Sequence, residues 1–141
     1  MVGRNVSVLL VEDDEVDQQA VKRAFDKFGI SNPLIVAEDG KEALAILRGK
    51  SGQHIKRPFM VILDLNMPRM GGHAFLQELR NDPDLQDTVV FVLTTSKDAG
   101  DMAKAYSMNV AGYIVKDDLS LSASQTVPFL RDYWNTVKIP V

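Results

Sequence analysis

The sequence predicts an α/β fold in which helices cover both faces of a parallel β-sheet. Short runs that are apolar throughout recur along the chain, as expected for strands that are buried on both faces of a parallel sheet. Segments with apolar residues at helical spacing lie between these runs. Right-handed crossovers then give a doubly wound sheet. Because 141 residues is the usual size of one domain, we expect residues 1–141 to form a single domain.

Five apolar runs have the length of strands. They are VSVLLV (6–11), PLIVA (33–37), FMVIL (59–63), VVFVL (89–93) and AGYIV (111–115). All are far shorter than the roughly 20 apolar residues of a membrane span. Acidic residues directly follow the first run, which is not the order found in a signal peptide. We therefore expect a cytoplasmic protein that does not bind membranes.

Capping residues predict where several helices begin. Asp14 is expected to cap the first helix, and Asp39 the second, with Glu42 three residues later completing a capping box. Ser96 is a candidate cap for the fourth helix. The last helix contains Pro128, and an interior proline costs about 3 kcal/mol. We therefore expect that helix either to kink or to begin its regular part near residue 126.

Composition excludes several functional classes. The chain has no cysteine, which rules out disulfides, thiolate zinc sites and a cysteine nucleophile. Its formal net charge is −3, and its 16 lysine and arginine residues form no stripe with aromatic residues between them. Nucleic acid is therefore not an expected partner.

Polar side chains follow four of the five apolar runs. In chain order they are Glu12 and Asp13 after the first run, Asp64 after the third, Thr94 after the fourth and Lys116 after the fifth. In a doubly wound sheet, ligands bind outside the carboxyl ends of the strands. We expect these side chains to meet at that edge, although each taken alone has an ordinary alternative, such as a helix cap or a surface lysine.

Carboxylates that lie close together repel one another unless a cation lies among them. A hard divalent cation such as Mg²⁺ is bound by a few protein oxygens and keeps sites open for water and phosphate. Asp13 and Asp64 are candidate direct ligands, and Glu12 can hold a metal-bound water. A hydroxyl from Thr94 and the ammonium of Lys116 around the same carboxylate suit a transferred phosphoryl group.

Four motifs together resemble the receiver domain of two-component response regulators, and the resemblance covers nearly the whole chain. The motifs are LLVEDD (9–14), VILDLNMP (61–68) with a following glycine pair, VLTTS (92–96) and GYIVK (112–116). The resemblance implies a flavodoxin-like (βα)₅ fold with strand order 2-1-3-4-5. It also implies a single-domain response regulator rather than an enzyme. The ending DYWNTVKIP (132–140) is similar to that of small receivers that partner phytochrome-type sensor kinases.

The resemblance also implies a role for each candidate residue. The aspartate at the position of Asp64 accepts a phosphoryl group from a histidine kinase or a phosphotransfer protein. Residues matching Thr94 and Lys116 contact that group. The aromatic residue matching Tyr113 changes rotamer as Thr94 is drawn inward.

The implied metal site binds Mg²⁺. Its ligands come from the residues matching Glu12, Asp13 and Asp64 and from the backbone carbonyl of the residue matching Asn66.

This sequence departs from the family pattern at two places. Asp117 follows Lys116 where the family usually has a proline with a cis bond, and we expect a trans peptide here. Gly71 and Gly72 stand where the family often has Asp-Gly, which predicts a looser start of the third helix.

Two alternative functions remain open. One is a pseudo-receiver that binds a partner without being phosphorylated. The other is a Mg²⁺-dependent phosphohydrolase of the haloacid-dehalogenase type, but Asn66 replaces the second aspartate of its D-x-D motif and no cap domain is present.

The C-terminal region predicts self-association. An apolar stripe continues into an alternating apolar tail that surrounds Pro140; its members are Val127, Leu130, Trp134, Val137, Ile139 and Val141. A free terminus is usually polar. We therefore expect a homodimer through the C-terminal helix and tail, about residues 120–141, with Trp134 at or near the interface. Core packing is an alternative for Val127 and Leu130.

Overall fold

The computed structural model describes residues 5–116 and 119–141, with side chains described for all of these except residues 119–122. Asp117, and with it the expected trans bond after Lys116, lies outside the described residues. Five strands alternate with five helices: β1 (Ser7–Val11), α1 (Glu15–Lys27), β2 (Leu34–Ala37), α2 (Gly40–Leu47), β3 (Phe59–Leu63), α3 (Gly72–Asn81), β4 (Val89–Thr94), α4 (Ala99–Ser107), β5 (Gly112–Val115) and α5 (Leu119–Thr136).

The strands form one parallel sheet in the order β2-β1-β3-β4-β5. The predicted doubly wound sheet and its strand order are therefore confirmed. Strands β1 and β3 are buried at every position, which explains why their sequences are apolar throughout. Among the helices that the structure describes, none is both long and apolar enough to cross a bilayer.

Alternating side chains of the strands form a separate apolar cluster on each face of the sheet. One cluster joins Leu9, Val61 and Leu63 to α2, α3 and α4. The other joins Leu10 and Ile62 to α1 and α5. The two layers hold the sheet from both sides and leave the ends of the strands open.

The structure confirms two of the predicted helix caps and corrects the third. The Asp14 carboxylate accepts hydrogen bonds from the amides of Val16 and Asp17, and the Asp39 carboxylate accepts one from the amide of Glu42. The N-cap of α4 is Asp98 and not Ser96. The Ser96 hydroxyl donates a hydrogen bond to the Asp101 carboxylate instead.

For the C-terminal helix, one of the two expected alternatives is excluded. Helix α5 runs from Leu119 to Thr136 with Pro128 inside it, so its regular part does not begin near residue 126. A proline at this position removes the bond that residue 128 would donate to the carbonyl four residues earlier. Burial of the helix in the second cluster offsets that loss, since Val127 and Leu130 on either side of Pro128 are each 1% exposed.

The placement of Trp134 at an interface between copies is wrong. Its side chain is 1% exposed within a single chain and lies 6.1 Å from the Phe25 ring of α1, measured between ring centroids. Ile139 in the tail is buried in the same cluster. The apolar stripe therefore faces the chain's own core, and of the six apolar residues of the stripe and tail only Val137 and Val141 are exposed.

Candidate functional site

The register of β1 and β3 places two acids side by side at the carboxyl edge of the sheet. Val11 pairs with Leu63, so the next residues on the two strands are Glu12 and Asp64. The amide of Asp64 donates to the carbonyl of Val11 at 3.0 Å, which continues the ladder one residue beyond the strands. The backbone therefore fixes both acids at the end of two buried strands.

Three carboxylates meet at this edge. One oxygen each from Glu12, Asp13 and Asp64 lies within 4.8 Å of the other two. Glu12 is 4% exposed and Asp64 is 8% exposed, whereas Asp13 is open to solvent. The predicted meeting of these acids is thus found in the structure, with one open side through which a ligand can approach.

The electrostatics of this cluster favour a bound cation. Burial, and secondly the neighbouring Asp64 carboxylate, raise the pKa of Glu12 to about 8, although Lys116 opposes the shift. Burial is the larger cause, and the contribution of Asp64 shows that the two carboxylates repel each other, which a cation bound by both would relieve. A set of hard carboxylate oxygens suits Mg²⁺, Mn²⁺ or Ca²⁺. The residues present therefore fit a divalent cation.

Lys116 lies beside the acids and is almost completely buried. Its ammonium donates to Glu12 Oε1 at 2.9 Å and to Asp17 Oδ2 at 2.5 Å, and its side chain is 4% exposed. Burial alone would lower the pKa of this lysine, but the hydrogen bond to Asp17 and the attraction of Glu12 outweigh burial and raise the pKa. Asp64 adds a weaker attraction, so the expected cation near Asp64 is present but is held by two other carboxylates.

The backbone of Ser96 connects Thr94 and Tyr113. The Ser96 amide donates to Thr94 Oγ1 at 3.3 Å, and the Tyr113 hydroxyl donates to the Ser96 carbonyl at 3.0 Å. Thr94 is fully buried at the end of β4, and Tyr113 is half-buried on β5. A movement of Thr94 would therefore change the hydrogen bonds that hold the β4–α4 loop and the Tyr113 ring.

A second polar group holds the beginning of α4. The Ser96 hydroxyl donates to Asp101 Oδ2 at 2.6 Å, and His73 Nε2 of α3 lies 3.4 Å from Asp101 Oδ1. The hydrogen bond from Ser96, and secondly that from His73, lower the pKa of Asp101. Asp101 thus ties the β4–α4 loop to α3 and α4.

The loop that follows β3 is held by contacts with the start of α2. Arg69 adopts a positive φ of 61° and its guanidinium binds the buried Asp39 carboxylate, with Nε at 2.5 Å. The amide of Gly40 donates to the carbonyl of Met70 at 2.9 Å. These contacts fasten the loop that contains Asn66 to the start of α2. The Asn66 amide lies 3.4 Å from Asp64 Oδ1, while the metal role of its carbonyl remains a prediction.

Sequence reasoning missed Asp17 and Gln18, which complete the site from α1. Asp17 binds Lys116, and the Gln18 amide group donates to the carbonyl of Glu12 at 2.7 Å. The available signal was weak, because acids in the first turn of a helix are common without any partner. Only the approach of α1 to the end of β5 gives Asp17 its role.

A parallel sheet of this order, with clustered acids and a buried lysine at its carboxyl edge, defines a flavodoxin-like signalling domain of the receiver type. The chain belongs to the response regulator receiver domain family, whose model matches residues 8–121.

Curated relatives match over most of their length. The response regulator Rcp1 of Synechocystis sp. is 33% identical over 135 residues, which cover 94% of this chain and 92% of Rcp1. FilR2 of Methanothrix harundinacea, a probable methanogenesis regulatory protein, is 35% identical over 127 residues, which cover 90% of this chain and 82% of FilR2.

Solved structures are similar over the same length. The crystal structure of phosphorylated RcpA, a cyanobacterial phytochrome response regulator, has a TM-score of 0.87 at 31% identity and covers 97% of this chain and 99% of RcpA. The Mn²⁺-bound form of Rcp1 has a TM-score of 0.85 at 30% identity, with coverage of 97% and 99%. The relatives thus include one phosphorylated protein and one that binds a divalent cation.

Proposed function

We propose that this chain is a single-domain response regulator over residues 1–141, in which Asp64 accepts a phosphoryl group from a sensor histidine kinase or a phosphotransfer protein. The observation that carries the proposal is the Asp64 carboxylate at the end of β3, within 4.8 Å of the Glu12 and Asp13 carboxylates and beside the buried Lys116. In the transfer, an Asp64 oxygen forms a bond to phosphorus as the bond to the histidine nitrogen breaks. The imidazole leaves with that electron pair.

Each neighbouring side chain has a part in this reaction. A divalent cation held by Glu12, Asp13 and Asp64, for which we propose Mg²⁺, would neutralise phosphoryl oxygens when bound. Thr94 would donate its hydroxyl to the transferred group, and Lys116 its ammonium. The similarity to the phosphorylated RcpA and the Mn²⁺-bound Rcp1 supports both parts of the proposal.

A mass measurement tests the phosphoacceptor directly. Acetyl phosphate with Mg²⁺ should add one acid-labile phosphoryl group to the wild-type protein, and Asp64→Asn should remain unlabelled. Asp84→Asn, which changes an exposed aspartate in the loop after α3, is the matched control and should be labelled like the wild type. No labelling of the wild type would favour the pseudo-receiver alternative, and a labelled Asp64→Asn protein would place the phosphoryl group elsewhere.

The metal ligands can be separated from the helix cap by a pair of variants. Asp13→Ala removes a carboxylate of the acid cluster and should weaken Mg²⁺ binding at least tenfold, about 1.4 kcal/mol. Asp14→Ala removes the cap of α1 and should leave Mg²⁺ affinity within about twofold while lowering stability by ~1 kcal/mol. Equal effects of the two variants in a Mg²⁺ titration would contradict this assignment of the acids.

We further propose that phosphorylation changes the surface formed by α4, β5 and α5. A phosphoryl group adds about −1.5 to −2 charges, which would draw Thr94 inward and release the Ser96 contacts of Thr94 and Tyr113. Amide shifts on binding of beryllofluoride, a phosphoryl mimic, should cluster on α4, β5 and α5. Shifts restricted to α1 would contradict the switch.

Two remaining proposals concern the state of the protein in the cell. We propose a cytoplasmic location, because the expected kinase obtains its phosphoryl group from ATP.

We also propose a homodimer through the exposed apolar residues of the C-terminal region, Val137 and Val141, which are 39% and 89% exposed. Val137→Ser with Val141→Ser should shift the sedimentation coefficient towards the monomer, whereas Val16→Ser, at an exposed valine of α1, should not. A wild-type monomer at tens of micromolar would refute the dimer.

A further inference from the structure

Lys116 is held by a carboxylate that is neither the proposed phosphoacceptor nor a proposed metal ligand. Asp17 Oδ2 lies 2.5 Å from the Lys116 ammonium, closer than Glu12 Oε1 at 2.9 Å. The Asp17 side chain is 19% exposed and that of Lys116 is 4% exposed, so water screens this ion pair only partly. The contact joins the first turn of α1 to the residue that follows β5.

Hydrogen bonds on both sides of Asp17 fix its backbone at the start of α1. Asp14 caps the helix by accepting hydrogen bonds from the amides of Val16 at 2.8 Å and Asp17 at 3.3 Å. The next residue, Gln18, is buried and donates to the carbonyl of Glu12 at 2.7 Å. The Asp17 carboxylate therefore projects from a backbone that is fixed on both sides, and Lys116 is the more extended and flexible partner.

An ammonium has only three hydrogens to donate. Glu12 and Asp17 take two of them. A phosphoryl group on Asp64 would attract the same ammonium with up to two negative charges. That group would compete with Glu12 and Asp17 for the ammonium, and the pair with Asp17 opposes its transfer because a charge-assisted hydrogen bond is short and strong.

We propose that Asp17 is a positioning residue that holds Lys116 on the α1 side in the unphosphorylated protein and releases it when Asp64 is phosphorylated. This inference rests on the proposed phosphoacceptor function. It assigns α1 a restraining part in the switch, in addition to the α4 and β5 elements that Thr94 and Tyr113 reach. The strength of the Asp17 pair then helps set how readily the phosphorylated state forms.

The affinity for beryllofluoride in the presence of Mg²⁺ tests the restraint. Asp17→Asn keeps the size of the side chain and removes the charge, so it should bind beryllofluoride about tenfold more tightly than the wild type. Glu15→Gln, which removes an acid from an exposed position in the same first turn, is the matched control and should stay within about twofold. Asp17→Glu restores the charge and should return the affinity towards the wild-type value. An Asp17→Asn protein that binds with equal or weaker affinity would overturn the proposal.

A second measurement on the ligand-free protein does not depend on phosphoryl chemistry. The ¹⁵N resonance of the Lys116 ammonium, or the ¹³C resonance of its ε carbon, should shift in Asp17→Asn and not in Glu15→Gln. Failure of the wild type itself to bind beryllofluoride would overturn the phosphoacceptor function, while an unchanged Lys116 resonance in Asp17→Asn would overturn the role of Asp17 alone. Thermal unfolding of each variant checks that the fold is retained.

Discussion

Gly72 is the first residue of α3, and replacing it with alanine should disturb the backbone that carries Asp64. A Cβ atom at position 72 would lie 2.7 Å from the carbonyl oxygen of Asp64, 2.7 Å from Leu65 Cα and 2.8 Å from Leu65 Cδ2. Ordinary contacts to carbon are about 3.5–4.0 Å. Because two of the three atoms belong to the backbone, the chain between β3 and α3 must move by roughly 0.8 Å or more to admit the methyl group.

The cost can be estimated from these contacts. Overpacking of a tight site costs about 1–3 kcal/mol, and alanine recovers up to about 1 kcal/mol of helix propensity. We therefore expect Gly72→Ala to lower the free energy of unfolding by about 1–2 kcal/mol, which is about 3–8 °C in Tm for a domain of this size. Mg²⁺ affinity should fall as well, since the displaced carbonyl belongs to Asp64.

Thermal and urea unfolding of the purified variant measure this effect. Gly52→Ala is the control, because a Cβ atom there meets nothing within 4 Å, and its stability should change by less than about 0.5 kcal/mol. A Gly72→Ala protein that melts at or above the wild-type temperature would show that the β3–α3 connection is pliable and would refute the reasoning.

Three further predictions concern stability. Burial would raise the pKa of Asp39, but the Glu42 amide and Arg69 hold it below its ordinary value. The ionised Asp39 carboxylate therefore contributes its full stabilisation of the fold above the unfolded pKa of about 3.9, and this stabilisation is lost as pH falls through the folded pKa. Asp39→Asn should accordingly cost about 1 kcal/mol at pH 7, with a gap to the wild type in urea unfolding that shrinks below about pH 4. The Arg80 guanidinium donates to four backbone carbonyls, those of Gln86, Thr88, Met108 and Asn109. Arg80→Met should therefore lower the free energy of unfolding by about 2–3 kcal/mol. A loss no larger than that of Arg23→Met, at an exposed position of α1, would contradict this. Pro128→Ala restores a donor inside α5 and should raise Tm; an unchanged or lower Tm would mean that the helix is fully relaxed around the proline.

The sheet and the ends of its strands could be predicted because each strand is a local apolar run. Asp64 and Glu12 directly follow such runs, and parallel strands bring their carboxyl ends to one edge regardless of the distance along the chain. Capping by Asp14 was equally local, since the carboxylate needs only the amides two and three residues later. The acid cluster could therefore be predicted from the parallel arrangement of the strands, while the strand order came from the resemblance to receiver domains.

Interactions between distant segments could not be predicted in the same way. The contact of Asp17 with Lys116 joins residues 99 positions apart, and that of Arg69 with Asp39 joins residues 30 positions apart. No regular spacing along the sequence predicts either contact. Each depends on how far a helix or loop reaches over the end of the sheet.

Three further differences arose where one pattern has two possible physical causes. An apolar stripe on a helix looks the same whether it faces a core or a partner, and the position of Phe25 on α1 decided for the core in the case of Trp134. A glycine can provide flexibility or space, and only the distances around Gly72 identify space as the reason at this position. Ser96 was a plausible helix cap until Asp101 was found to accept its hydroxyl.

The position of Trp134 has a practical consequence for spectroscopy. It is the single tryptophan of the sequence, and it lies in the cluster between the sheet, α1 and α5. Its fluorescence therefore reports on that layer, whereas circular dichroism reports on the helices of both layers. If the layers unfold as one cooperative unit, the two signals give the same denaturation curve. If α2, α3 and α4 loosen first, circular dichroism will change while the fluorescence of the tryptophan stays native.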